Sequence, residues 1–92
     1  MDLRGKRVVL SGGSSGIGKE AAILLARQGC DVAIVARDAA RLEAARAEIA
    51  AAAAPGRKVI AVSADVTSDE SVDAAAREVL ATLGGVDVLV AN

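Results

Sequence analysis

The sequence has no histidine, no phenylalanine, tyrosine or tryptophan, and one cysteine and one proline in 92 residues. Each gap excludes something. Without histidine, and with Cys30 alone, the chain builds no Ser-His-Asp triad, no Cys-His pair and no zinc site. Without aromatic rings it has no stacking platform for single-stranded nucleic acid. One cysteine cannot staple a secreted miniprotein, which points to a reducing compartment and a cytoplasmic location. The longest apolar runs, such as Ala21 to Ala26, fall far short of the ~20 residues of a membrane span. Arg4, Lys6 and Arg7 precede too short an apolar stretch for a secretory signal. Eleven basic and 12 acidic residues leave a net charge of -1, so no positive field recruits nucleic acid or an anionic membrane.

What is present is small and aliphatic. Apolar residues make up 53% of the chain, with Ala supplying 22 and Val, Leu and Ile together 25. That aliphatic content is enough to fold, at the low end of size for one domain and too short for two, so residues 1–92 are expected to form a single unit.

Short β-branched runs alternate with longer helical stretches. Arg7 to Leu10 reads as a strand. Ser15 to Gln28 reads as a helix with Ile17, Ala21, Leu24, Leu25 and Gln28 near one face, stopped at Gly29. Val32 to Ala36 is a second strand, apolar throughout as a strand buried on both faces should be. Asp38 offers an N-cap for a helix to about Ala54, with Leu42, Ala45, Ile49 and Ala53 as its stripe and Pro55-Gly56 as its end. Val59 to Val62 is a third strand. Thr67-x-x-Glu70 reads as a capping box for a third helix, with Val72, Ala76, Val79, Leu80 and Leu83 on one face and Gly84-Gly85 as its stop. Val86 to Ala91 begins a fourth strand. The pattern βαβαβαβ implies parallel strands joined by right-handed crossovers, an α/β sheet of doubly wound Rossmann type with order 3-2-1-4, a flavodoxin-like order being the alternative that the local pattern leaves open.

The segment Ser11-Gly12-Gly13-Ser14-Ser15-Gly16-Ile17-Gly18 joins the first strand to the first helix. A sharp turn favours glycine, a phosphate close to the backbone favours residues without Cβ, and tight helix packing favours Gly18. The helix N-terminus adds unpaired N–H groups and partial positive charge for a pyrophosphate, and Ser14 and Ser15 add hydroxyls. An ordinary glycine-rich turn is the plain alternative, but a position between a first strand and a helix is the context a nucleotide-binding loop requires.

The spacing Gly-x-x-x-Gly-x-Gly resembles the cofactor loop of the short-chain dehydrogenase/reductase family, with Ser11 in place of the usual Thr. Asp65-Val66 resembles that family's adenine contact, and Asp87-Val88-Leu89-Val90-Ala91-Asn92 the start of its Asn-Ala-Gly segment. The resemblance implies hydride transfer between a nicotinamide cofactor and a small-molecule carbonyl or alcohol, and a homo-oligomer for the full-length protein. Ser11, Gly12, Ser14, Ser15, Gly16, Ile17 and Gly18 would then hold the pyrophosphate. Asp65 and Val66 would meet the adenine, and Asn92 would contribute backbone near the adenosine ribose. The string from Gly12 to Lys19, with Val35 to Asp38 and Leu89 to Asn92, is also similar to the 3-ketodihydrosphingosine reductase branch.

In this architecture an acidic residue at the end of the second strand selects NAD, and a basic one accommodates the 2′-phosphate of NADP. Here Ala36 stands at the usual acidic position and Arg37 follows, with Arg41 one turn into the next helix as a second cation. A guanidinium holds phosphate through paired hydrogen bonds, so the expected cofactor is NADP. The competing assignment makes Asp38 the ribose ligand, but helix capping already accounts for that residue.

The family's catalytic Tyr-x-x-x-Lys has no counterpart here, so no catalytic residue is assigned. The expected reading is the amino-terminal cofactor-binding part of an NADP-dependent oxidoreductase, cut after the fourth strand, inactive and either poorly soluble or only partly folded by itself. A stand-alone nucleotide-binding or regulatory module without catalysis is the alternative.

Overall fold

The computed structural model describes residues 3–12, 16–65 and 67–91. Their elements run β1 (Arg7–Ser11), α1 (Gly16–Arg27), β2 (Asp31–Ala36), α2 (Ala39–Ala52), β3 (Val59–Ser63), α3 (Asp69–Leu83) and β4 (Val88–Ala91). The strands form one parallel sheet in the order β3-β2-β1-β4. This is the expected Rossmann-type order, and it excludes the flavodoxin-like alternative. In register, Val9 lies between Ala33 of β2 and Leu89 of β4.

The period-two alternation of the strands divides the core between the two faces of the sheet. Val8 and Leu10 of β1 join Val32 and Ile34 of β2 beneath α1 and α2, where Leu42, Ala45 and Ile49 of α2 meet them. Val9, Ala33 and Val62 point the other way and pack under α3 against Ala75, Val79 and Leu83. Leu10 and Ile34 are fully buried, each contributing about 2 kcal/mol of apolar burial. Cys30 is buried in the first cluster, and its thiol donates to the Leu3 carbonyl at 3.4 Å. Burial pushes that thiol above its ordinary range.

Two helix faces differ from expectation. On α1 the buried residues are Gly18, Ala22 and Ala26, while Ile17 and Leu24 are exposed. The sheet is met by the smallest side chains, which let the helix axis come close, and the larger ones turn outward or lean on the rim. Lys19 reaches α2 and pairs with Glu48 at 3.0 Å. On α3 the buried stripe is Ala75, Val79 and Leu83, and Val72 and Leu80 are exposed. The helix lies over β3 and β2. Beside it, over β1 and β4, an open apolar groove of about 400 Å³ runs between Val72, Val79 and Leu80 on one side and Val9, Val86 and Leu89 on the other.

The start of α3 also differs. The N-cap is Ser68, whose hydroxyl accepts the Ser71 N–H at 3.3 Å, rather than Thr67. Thr67 is turned back toward Asp65 instead. At the other end Gly84, with φ 82°, takes the left-handed cap and donates its N–H to Leu80, as its sequence position suggested. β4 begins at Val88, two residues later than expected, because Asp87 is engaged by Arg7.

Candidate cofactor site

Parallel pairing brings the carboxyl ends of all four strands to one edge of the sheet, and the chemistry-bearing residues collect there. β1 ends at Ser11, registered between Val35 and Ala91. The chain then turns through Gly12, at φ 80°, which donates its N–H to the Val35 carbonyl at 2.8 Å. α1 opens at Gly16, with φ 60°, and a Cβ built there would meet no heavy atom of the described residues within 4 Å. Among the described residues nothing crowds the backbone at this helix N-terminus, and two positions on Gly18 is buried. Ile17 stands between them, exposed. Ser14, Ser15, Val66 and Asn92 lie outside the described residues.

Arg37 follows β2 directly. Its side chain is 81% exposed, and its carbonyl accepts the Ser63 hydroxyl at 3.0 Å, which ties its backbone to the end of β3. Ala36 beside it presents no carboxylate. Asp38 is the N-cap of α2: its Oδ1 accepts the N–H groups of Ala40 and Arg41 at 3.0 and 3.1 Å. Arg41 lies over the same carboxylate, Nε to Oδ2 at 3.9 Å.

Asp65 follows β3 and is held from several sides. Its Oδ1 accepts both the N–H of Thr67 at 2.9 Å and its hydroxyl at 2.6 Å. Its own N–H donates to the Ser71 hydroxyl at 2.8 Å, fastening the end of β3 to the first turn of α3. Its Oδ2 faces Arg37 Nη2 at 3.7 Å. The Thr67 side-chain and backbone bonds, with the charge of Arg37 added, hold the carboxyl below its ordinary value. The sequence assigns no role to Ser71 or Ser63, and to Thr67 only that of a helix cap. For Thr67 a signal existed: an Asp whose side chain bonds the backbone two residues on is an Asx-turn, and Asp65-x-Thr67 has that spacing.

Residues 6–92 match the family described as short chain dehydrogenase. The chain belongs to the short-chain dehydrogenase/reductase family. It is 46% identical over 67 residues to a 3-ketodihydrosphingosine reductase of Cryptococcus neoformans var. neoformans, a match covering 73% of this chain and 20% of that protein. Among solved structures it resembles the apo form of glucose dehydrogenase from Caenorhabditis elegans, with a TM-score of 0.90 and 39% identity, over 100% of this chain and 39% of the other. It also resembles a 3-ketoacyl-(acyl-carrier-protein) reductase from Brucella melitensis complexed with NADH, with a TM-score of 0.83 and 38% identity, over 95% and 33% of the two chains. The chain thus spans well under half the length of these short-chain dehydrogenase/reductase relatives. Members of the family are oxidoreductases that bind nicotinamide cofactors. The residues at the strand ends are chemically compatible with such a group: a glycine at a helix start, an exposed guanidinium and a partly exposed carboxylate. No helix among the described residues is long and apolar enough to cross a membrane.

Proposed function

We propose that residues 1–92 are part of one NADP(H)-binding Rossmann domain of an oxidoreductase that interconverts a carbonyl and a hydroxyl by hydride transfer. The observation that carries the choice of NADP is the pair of neighbours at the end of β2. Arg37 presents an exposed guanidinium there, whereas Asp38, the carboxylate that would otherwise favour NAD, is spent on capping α2. A guanidinium matches a 2′-phosphate with two parallel hydrogen bonds, and Arg41 adds positive charge one turn away. The choice rests on these residues and not on the relatives, one of which was solved with NADH.

The remaining roles are proposed from the resemblance of these segments to the family's cofactor loop, adenine contact and Asn-Ala-Gly segment. Ser11, Gly12, Ser14, Ser15, Gly16 and Gly18 surround the pyrophosphate, with the start of α1 supplying N–H groups and Ile17 an exposed apolar contact. Asp65 accepts from the adenine amino group, Val66 packs on the ring, and Asn92 adds backbone contact near the adenosine ribose. Bound there, the cofactor supplies the hydride. The Tyr-x-x-x-Lys that would transfer the proton in this family has no counterpart among these residues, since the sequence has no Tyr. The similarity to the fungal enzyme supports a long-chain 3-keto base such as 3-ketosphinganine as the carbonyl substrate.

Calorimetric titration with NADPH and NADH tests the cofactor assignment. Arg37→Asp should weaken NADPH by roughly tenfold or more, the size of a lost charge-assisted hydrogen bond, and far more than it weakens NADH. Equal losses for both would refute it.

A further inference from the structure

The two residues assigned to opposite ends of the adenosine are themselves partners. Asp65 Oδ1 is occupied by both donors of Thr67, so the oxygen left for any newcomer is Oδ2, and that oxygen stands 3.7 Å from Arg37 Nη2. Among the described residues Asp65 is the carboxylate paired with Arg37. The backbone of Arg37 is anchored by Ser63. The guanidinium therefore swings from a fixed root, and Asp65 is the resting place within its reach.

We propose that Asp65 is a determinant of selectivity between NADPH and NADH, acting as an intramolecular competitor that holds Arg37 until a 2′-phosphate draws it away. The inference rests on the reading of Arg37 as the phosphate clamp. NADH offers no phosphate at this position and leaves the pair intact. NADPH brings close to two negative charges and outbids one carboxylate, but part of the gain is lost in separating Arg37 from Asp65. The pair is exposed, so its grip is modest and its effect on selectivity is a few-fold.

The test is a double-mutant cycle read as the ratio of NADH to NADPH dissociation constants in the full chain, measured by calorimetry. Asp65→Asn keeps an oxygen for the adenine amino group and removes the charge. With Arg37 present it should raise the ratio about threefold, even if both cofactors bind more weakly. In an Arg37→Met background the same change should leave the ratio where it was. An unchanged ratio with Arg37 present overturns the inference, as does an equal rise in the Arg37→Met background, which would mean direct repulsion between Asp65 and the phosphate. If Asp65→Asn does not fold, Asp65→Ser gives the same reading. Should Arg37→Met alone leave the ratio untouched, the clamp assignment itself is wrong, a failure separate from that of the competition.

Discussion

Arg7 and Asp87, 80 positions apart in the chain, are joined at four points. Arg7 donates its backbone N–H to Asp87 Oδ2 at 2.8 Å, Nε to the same oxygen at 3.0 Å and Nη2 to Oδ1 at 3.3 Å. Its carbonyl accepts the Asp87 N–H at 2.8 Å. Gly85 makes room, since a Cβ there would lie 2.7 Å from Arg7 Nη1. β4 is an edge strand with much of its surface exposed, so little apolar packing holds it. This clamp and the ladder to β1 fix its register.

Asp87→Ala should therefore loosen β4 before anything else. Amide hydrogen exchange is expected to quicken over Val88 to Ala91 while β2 stays protected, and Tm to fall by a few degrees. Exchange that quickens evenly across the sheet would show that β4 is not held in this way.

The same carboxylate predicts an acid response. The hydrogen bonds from the Arg7 side chain and backbone lower its pKa from 3.8 to about 2. A depressed folded-state value stabilises above the unfolded value, and the stabilisation disappears as pH falls from 3.8 through about 2. Asp65, held down by Thr67, and Glu43, held down by Arg46, act in the same direction. In denaturant titrations, stability should drop less steeply across that window in Asp87→Asn than in the parent, with the shares of Asp65 and Glu43 retained.

The core of the first face gives a larger effect. Ile34 is fully buried between the sheet neighbours of β1 and the helices above it. Ile34→Ala should cost about 2–5 kcal/mol by lost transfer energy and the cavity left behind. Urea unfolding measures this directly, and a cost below about 1 kcal/mol would mean that the surrounding Leu10, Leu42 and Ile49 collapse into the space.

Asp38 separates capping from ligand binding. Asp38→Asn preserves an oxygen for the Ala40 and Arg41 N–H groups, whereas Asp38→Ala removes it, at about 1 kcal/mol of stability. If Asp38 serves α2 alone, Asp38→Asn should leave NADH affinity unchanged. A marked loss of NADH binding would instead place Asp38 on the ribose.

Much of this fold was legible because strands and helices alternate with clear stops. Gly84 ends α3 and Asp38 caps α2 as read, and 3-2-1-4 is the order preferred of the two that the local pattern admits. The misreadings have physical causes. On α1 the large residues Ile17 and Leu24 imitate a core stripe, but close approach to a sheet rewards the small residues Gly18, Ala22 and Ala26. At α3 the adjacent Thr67 and Ser68 both suit an N-cap, and the choice falls to Ser68 because Asp65 claims Thr67. The pairings Arg7–Asp87 and Arg37–Asp65 carry no local signal. They exist because parallel strands place residues far apart in sequence at the same end of the sheet.

That separation of ends has a practical consequence. Arg7, Asp87 and Gly85 sit where the strands begin, and Arg37 and Asp65 where they finish, roughly 15 Å apart for strands of this length. Sites at such a distance, with no shared partner, combine additively. Cofactor preference can therefore be re-engineered at one rim while the edge strand is reinforced at the other, and each change can be scored without correcting for its counterpart.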